Sequence, residues 1–385
     1  MRVPQAVPLR GFRPYATSAA TAGDAWVKPN RSKKRAGRRP DSRGGPGPNA
    51  PRHAKPAPGG QRAGDPPRPG EGEQPVRSPR PKFLEGRLPG ENLPLILEVA
   101  PDANYALIDS GDGEKLERFG EYRIVRPEGQ AIWPRALPDA DWQSADAIFP
   151  GDTDEEGMGR WRFPRRPLGE TWPMRHDDID YLGRFTSFRH VGVFPEQASH
   201  WRHMDALIRQ AGRPVKVLNL FGYTGLASLV AAAAGAEVTH VDASKKAIGW
   251  ARENQTVAGL QNRPIRWICE DATRFVEREV RRGNRYDIIL LDPPAFGRGP
   301  KGEVWQVFED LPAMIGRCRE ILTDKPLAIV LTAYSIRASF FAIHSLLRGA
   351  MAGVGGRVES GELVIREEAA GRALSTSLFA RWVAA

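Results

Sequence analysis

The chain has 385 residues, 56 Lys+Arg against 46 Asp+Glu, a formal net charge of +10 and two cysteines. That length excludes a single small domain. Two cysteines exclude a disulfide framework and a Cys-rich zinc module, and fit a reducing compartment. The most apolar run, Ala227 to Ala236, is too short to span a bilayer, so no membrane is expected as a partner.

Residues 1–80 hold 17 basic and 5 acidic side chains, leaving 39 basic and 41 acidic for the rest. The same segment has 15 Pro and 11 Gly, which predicts a disordered tail over 1–85. Its densest run, Arg31-Ser-Lys-Lys-Arg35 followed by Arg38-Arg39, suits electrostatic attachment to a polyanion such as RNA. A solvated leader with no partner would read the same way. Arg2, Arg10 and Arg13, with no acid before Asp24, have the composition of an organellar transit peptide, and Arg13-Pro-Tyr15 is similar to a mitochondrial processing site. Pro4, Pro8 and Pro14 interrupt any helical periodicity there. The expected location is therefore cytoplasmic, with the mitochondrial matrix as the alternative.

A β-rich accessory domain is expected over 86–185. Leu95–Val99, Tyr105–Ile108 and Tyr122–Val125 are short strand-like runs separated by Asp109-Ser-Gly-Asp-Gly113 and Arg126-Pro-Glu-Gly129. Gly159–Phe163 and Ile179–Phe185 are further candidates. Trp133, Trp142, Trp161 and Trp172 interleave with Arg160, Arg162, Arg165 and Arg166. Such a mixture can stack and clamp unpaired nucleotides. It can equally be a small core that uses Trp as bulk, with Arg on the solvent face.

Beyond residue 186 helix-like and strand-like runs alternate. The helices expected are Gln197–Gln210, Gly225–Ala234, Ser244–Gly259, Thr273–Arg282, Gly302–Leu322 and Ser339–Met351. The strands are Val215–Leu220, Val238–Val241, Ile265–Ile268, Ile288–Leu291 and Leu327–Leu331, followed by the closely joined pair Glu362–Ile365 and Ser375–Trp382. Repeated βα units predict an α/β doubly wound, mostly parallel sheet, and the short final connection an antiparallel C-terminal edge. Ligands in such sheets bind at the carboxyl ends of the strands.

Four strand ends carry chemistry. Leu218-Asn-Leu-Phe-Gly-Tyr-Thr-Gly225 runs into a turn whose Gly222 and Gly225 would admit close backbone approach to a ligand. Its spacing lacks the first glycine of a dinucleotide fingerprint, which tells against a nicotinamide dehydrogenase. Asp242 follows the next strand, where an acid can accept from both hydroxyls of a ribose or can cap the following helix. Asp271, after the third, can accept from an adenine amino group or be an N-cap. The fourth, Leu290-Leu-Asp-Pro-Pro-Ala-Phe296, stiffens the backbone beside Asp292 and Phe296 with two successive prolines. The four together point to a ligand that contains adenosine.

This order resembles the class I S-adenosylmethionine-dependent methyltransferases. The Asp-Pro-Pro-x-Phe form is similar to that of bacterial 23S ribosomal RNA methyltransferases making 5-methylcytidine or 7-methylguanosine. The resemblance covers roughly 185–385, with a weaker part over 93–184. It implies S-adenosylmethionine as cofactor and RNA, ribosomal RNA foremost, as substrate. It further implies that Asn219, Phe221, Gly222 and Gly225 line the methionine and ribose end, that Asp242 binds the ribose hydroxyls and that Asp271 binds the adenine amine. Asp292, with the Pro293 carbonyl and Pro294, would border the methyl group and orient the target base, and Phe296 would stack on it. Gln197, in Gly192-Val-Phe-Pro-Glu-Gln197, is carried over as a cofactor contact, although Pro195 and Glu196 depart from the family's pattern.

Cytosine C5 methylation needs a cysteine that adds to the ring. The family places it just after the fifth strand, where this chain has Thr332-Ala-Tyr-Ser335, while Cys269 and Cys318 lie elsewhere. A base nitrogen, on a guanine ring or exocyclic, is therefore the expected acceptor. A protein or small-molecule methyltransferase, or a non-catalytic RNA-binding scaffold, remains an alternative, since the part after the tail is near neutral. No Cys/His cluster of zinc type occurs, and no metal is assigned.

Overall fold

The computed structural model describes residues 84–150, 159–334 and 336–385. The basic run, the leader and Ser335 lie outside the described residues. In chain order the first strand is β1 (Gly90–Val99). A meander follows of β2 (Tyr105–Gly111), β3 (Glu114–Phe119) and β4 (Tyr122–Pro127), beside which the two-residue β5 (Ala147–Ile148) pairs after helix α1 (Asp139–Gln143). Strands β6 (Thr171–His176) and β7 (Ile179–Arg184) form a hairpin. A 3-10 turn at Pro195–Gln197 leads into α2 (Ala198–Gln210), β8 (Lys216–Leu220), α3 (Leu226–Ala233) and β9 (Glu237–Asp242). Then come α4 (Lys245–Val257), β10 (Ile265–Cys269), α5 (Ala272–Arg282), β11 (Ile288–Leu291), β12 (Phe296–Arg298) and β13 (Val304–Gln306). The chain closes with α6 (Val307–Glu320), β14 (Ala328–Tyr334), α7 (Phe340–Ala350), β15 (Arg357–Arg366) and β16 (Ala373–Val383).

The main sheet has eight strands in the order β1-β15-β16-β14-β11-β8-β9-β10. Alternate residues face opposite sides, as strand geometry requires. Val217, Ile288, Leu290 and Val330 join one apolar cluster with α2 and α3. Leu218, Ile289, Leu291 and Leu331 join the other with α5, α6 and α7. Order reverses between β8 and β11, the switch point at which such sheets bind ligands. The final pair is antiparallel as expected, with β16 running against both β14 and β15.

Two expectations need correction. The outermost strand beyond that pair is β1, which runs parallel to β15, so Leu95–Val99 belongs to the main sheet and not to an accessory domain that starts at 86. Nor does the segment up to 185 pack wholly apart: Leu107, Phe119, Ile124 and Trp172 share one apolar cluster with Val217 and Ile288, while Leu116, Val125, Trp142 and Ala145 form a small cluster of their own. Periodicity reveals a strand but not its partner more than 250 residues away. Asn254 on α4 fastens the β6–β7 hairpin to the turn after β8, accepting from the Leu182 N–H at 3.0 Å and donating to the Thr224 carbonyl at 3.0 Å.

Strand β3 is not legible in the sequence, because Glu-Lys-Leu-Glu-Arg-Phe looks solvated. Its Glu117 is fully buried, taking hydrogen bonds from Arg126 Nε at 2.7 Å and Nη2 at 2.8 Å and from the Tyr105 hydroxyl at 2.9 Å. Burial alone would raise the Glu117 carboxyl, but the Arg126 and Lys115 charges outweigh it and hold the group below the usual carboxylate range. Arg126→Met is expected to cost about 3–5 kcal/mol of stability by stranding that carboxylate. Urea denaturation of the single variant and of Arg126→Met with Glu117→Leu checks this, the double variant recovering most of the loss.

Candidate active site

The four strand ends converge at the switch point. The turn after β8 puts two non-glycine residues in the left-handed region, Phe221 at φ 58° and Tyr223 at φ 51°. Each costs of order 1–3 kcal/mol and persists only where neighbours hold it. Asp242 is such a neighbour: its Oδ2 accepts from the Tyr223 N–H at 2.8 Å and its Oδ1 from the Ser244 N–H at 2.8 Å. Burial raises its carboxyl above the ordinary value, and these two N–H groups oppose that rise. The cap of α4 is Ser244, whose Oγ accepts from Ala247 N–H at 3.2 Å. Asp271 is the N-cap of α5, accepting from Arg274 N–H at 3.0 Å, and burial raises it also.

A cavity of about 600 Å³ joins these groups. Phe221, Tyr223, Asp242, Ser244 and Asp271 line one end and Asp292 to Phe296 run along it. His190, Phe194, Glu196, Gln197, Tyr334 and Ser377 also line it. Gln197 donates from Nε2 to Asp292 Oδ2 at 3.0 Å and accepts at Oε1 from the Thr332 hydroxyl at 3.3 Å. It therefore fixes the carboxylate as well as lining the cavity. The Pro294 carbonyl accepts from Trp305 Nε1 at 2.9 Å, and the Trp305 ring lies 4.9 Å from that of Phe221. Phe296 opens the β12–β13 hairpin and is 43% exposed, with the Arg298 guanidinium 5.8 Å from its ring centre.

Asn219 is buried and donates to Ser228 Oγ at 3.0 Å, lining a smaller cavity that shares Gln197 and Asp292. The two glycines do not clear space for a ligand as expected. A Cβ on Gly222 would lie 2.3 Å from His240 Cε1, and one on Gly225 would lie 2.9 Å from the Ala251 Cβ. Gly222 lines the smaller cavity, whereas Gly225 lines neither and supplies the φ of +86° that starts α3. Their neighbours come from β9 and α4, which sequence spacing cannot place.

The sequence assigns no role to His190, Glu196, Tyr334 or the β12–β13 hairpin with Trp305. The last had a signal, the turn-rich Gly297-Arg-Gly-Pro-Lys-Gly302 between Phe296 and Val304. The helix expected from Gly302 begins only at Val307. Cys318 is buried in α6, which pushes its thiol well up, and Cys269 is exposed at the end of β10. Neither lines the large cavity. Trp142 and Trp172 are buried, Trp161 packs edge-on against Phe149, and Trp133 donates to the Ser110 carbonyl at 3.0 Å. Trp142 and Trp172 are core, Trp133 and Trp161 are partly buried against it, and Arg160, Arg162, Arg165 and Arg166 are exposed. Among the described residues no group of three His, Cys, Asp or Glu could hold a metal.

Comparison with known proteins adds to this geometry. A family described as conserved hypothetical protein 95 matches residues 202–309. The crystal structure of an S-adenosylmethionine-dependent methyltransferase from Agrobacterium tumefaciens is 63% identical, with a TM-score of 0.77, over 79% of this chain and 98% of that one. Curated relatives include the ribosomal RNA large subunit methyltransferase K/L of a Psychrobacter species, 32% identical over 155 residues, and that of Shewanella baltica, 39% identical over 119. Those alignments cover 39% and 31% of this chain but 18% and 16% of the relatives, so the chain spans less than a fifth of their length.

Proposed function

The chain belongs to the class I S-adenosylmethionine-dependent methyltransferases, and from that premise we propose that it methylates a base nitrogen of RNA, ribosomal RNA foremost, without a cysteine nucleophile. The residues present fit the cofactor, a cation at both its sulfonium and its amino group, because the cavity is lined by the carboxylates of Asp242, Asp271 and Asp292. A carboxylate offers about four acceptor positions; the Tyr223 and Ser244 N–H groups take two at Asp242, and the Arg274 N–H takes one at Asp271. Asp242 would hold the ribose hydroxyls and Asp271 the adenine amine. Asn219, Phe221 and Gly222 would form the wall at the methionine end, with Gly225 acting through the turn. Bound there, the cofactor supplies a methyl group on a sulfonium, and transfer is an in-line displacement that depends on alignment.

The chain's own part is to present the acceptor. Asp292, held by Gln197, and the Pro293 carbonyl would accept hydrogen bonds from the attacking nitrogen, with Pro294 keeping the backbone rigid. Phe296, exposed at the cavity mouth, would stack on an unpaired base. The burial of Cys318, and the place of Cys269 beside Asp242 and Ala243 at the cofactor end and not beside Asp292, support chemistry without a covalent adduct.

The observation that carries RNA as substrate is one cavity that continues from the adenosine-type residues past Asp292 to an exposed aromatic, in a segment similar to ribosomal RNA methyltransferases. Wild-type protein given S-adenosylmethionine with a labelled methyl is expected to label RNA from cells lacking the gene. Total protein from the same cells should stay unlabelled. Label in protein alone would overturn the reading, and mass spectrometry of digested RNA names the methylated nucleoside.

A further inference from the structure

The cavity does not end at Asp292. It also has a wall of His190, Phe194, Glu196 and Tyr334. The Phe194 ring lies 4.9 Å from that of His190 and 6.1 Å from that of Tyr334, so planar surfaces border the space. Burial, with the cations Arg126, Arg189 and Lys115, holds the His190 imidazole neutral, well below its ordinary value. The Tyr334 hydroxyl already accepts from Arg189 Nη2 at 2.8 Å.

Glu196 is the unusual member. It is 4% exposed, in the 3-10 turn immediately before Gln197, and among the described residues no other side chain donates a hydrogen bond to it. Its own backbone N–H reaches the carboxylate, and a carboxylate buried with so few donors is uncommon in native proteins. The groups that face it are Lys115 and Glu117 from β3 and Arg126 from β4, with Arg189, His190 and Tyr334 around the adjoining pocket. Burial raises its carboxyl, while Lys115, its own backbone N–H and Arg126 oppose that rise, the two cations acting by charge alone. The accessory meander thus backs the wall of the site.

We infer that Glu196 reads the acceptor base, taking N–H hydrogen bonds from its Watson–Crick edge while the ring lies among Phe194, His190 and Tyr334. This deepens the RNA reading above and rests on it. The chemistry required is an edge that presents N–H donors to a carboxylate. Guanine supplies two adjacent donors, and cytosine or adenine supplies one amino group. The N–H of uracil sits between two carbonyls that a carboxylate repels.

Glu196→Gln tests it, because it exchanges one acceptor oxygen for a donor NH2 at nearly constant volume. With RNA from cells lacking the gene, kcat/KM for methyl transfer is expected to fall roughly 10- to 100-fold, while the cofactor dissociation constant stays within about twofold of wild type. Glu196→Asp, which keeps the charge, is expected to recover part of the activity. The methylated nucleoside separates guanosine from cytidine or adenosine, and each of the three agrees with the inference. Methylated uridine, or a methyl on a ribose oxygen, would overturn it. So would wild-type activity in Glu196→Gln, or an equal loss of RNA activity and cofactor affinity in both variants, which would make the role structural. If wild-type protein leaves RNA unlabelled, the RNA reading itself fails before any variant is compared.

Discussion

Asp292→Ala is expected to lower kcat by about 10²- to 10⁴-fold, the range for removing a positioned acid–base group, with little change in cofactor affinity. Asp292 follows β11 at the switch point and borders both cavities. Its Oδ2 is held by Gln197, which is in turn held by Thr332 at the end of β14, so three chain segments fix one carboxylate. A group held in this way contributes little to ground-state binding and much to alignment. Asp292→Asn keeps an oxygen that can accept from Gln197 but loses the charge that, on the proposed mechanism, would take a proton from the attacking nitrogen. It is expected to fall nearly as far as Ala. Steady-state kinetics with calorimetry of cofactor binding separates the two effects, and equal losses in kcat and in affinity would remove Asp292 from the reacting centre.

Much of the parallel half is legible because each βα unit is local. The apolar runs Ile288–Leu291 and Val215–Leu220 match the observed strands to within a residue, and Asp292 after the first and the Phe221–Gly225 turn after the second can be placed at the sheet's carboxyl edge by topology alone. What the sequence hides are the long-range pairings. Leu95–Val99 reads as one more short strand, yet it pairs with β15. Glu117 reads as a surface acid, yet it is buried with Arg126. Gly222 reads as room for a ligand, yet His240 fills that room. Glu196 stands out only as a departure from a family pattern, and its meaning depends on Lys115 and Arg126, roughly 80 and 70 residues earlier, reaching the same pocket.

The near-neutral charge of the chain after residue 80 also acquires a local meaning. Carboxylates crowd the strand ends, and cations back the opposite wall: Lys115, Arg126 and Arg189 line the pocket behind Glu196. A cationic cofactor is favoured at one end of such a cavity and an N–H-rich planar group at the other. Overall charge averages these opposed regions to nearly nothing.

The two cofactor acids are expected to differ in effect. Asp242→Ala should weaken S-adenosylmethionine binding by roughly 100-fold or more, and Asp271→Ala by about 10-fold, at 1.5–3 kcal/mol for each hydrogen bond to a charged group. Asp242 would serve two ribose hydroxyls, and it also satisfies the Tyr223 N–H in a turn held at φ 58° and 51°. Its loss removes two ligand bonds and frees a strained loop that lines the cavity. Asp271 would serve one amino group, and its other task, capping α5, affects stability by about 1 kcal/mol. Asp242→Asn sharpens the comparison. An amide has one acceptor oxygen, so it cannot accept from both Tyr223 and Ser244 as the carboxylate does. It should bind the cofactor nearly as weakly as Ala. Titration calorimetry on the three variants, with urea denaturation alongside, gives affinity and stability separately. Asp242→Asn binding as tightly as wild type would mean that the carboxylate neither holds this turn nor meets the ribose.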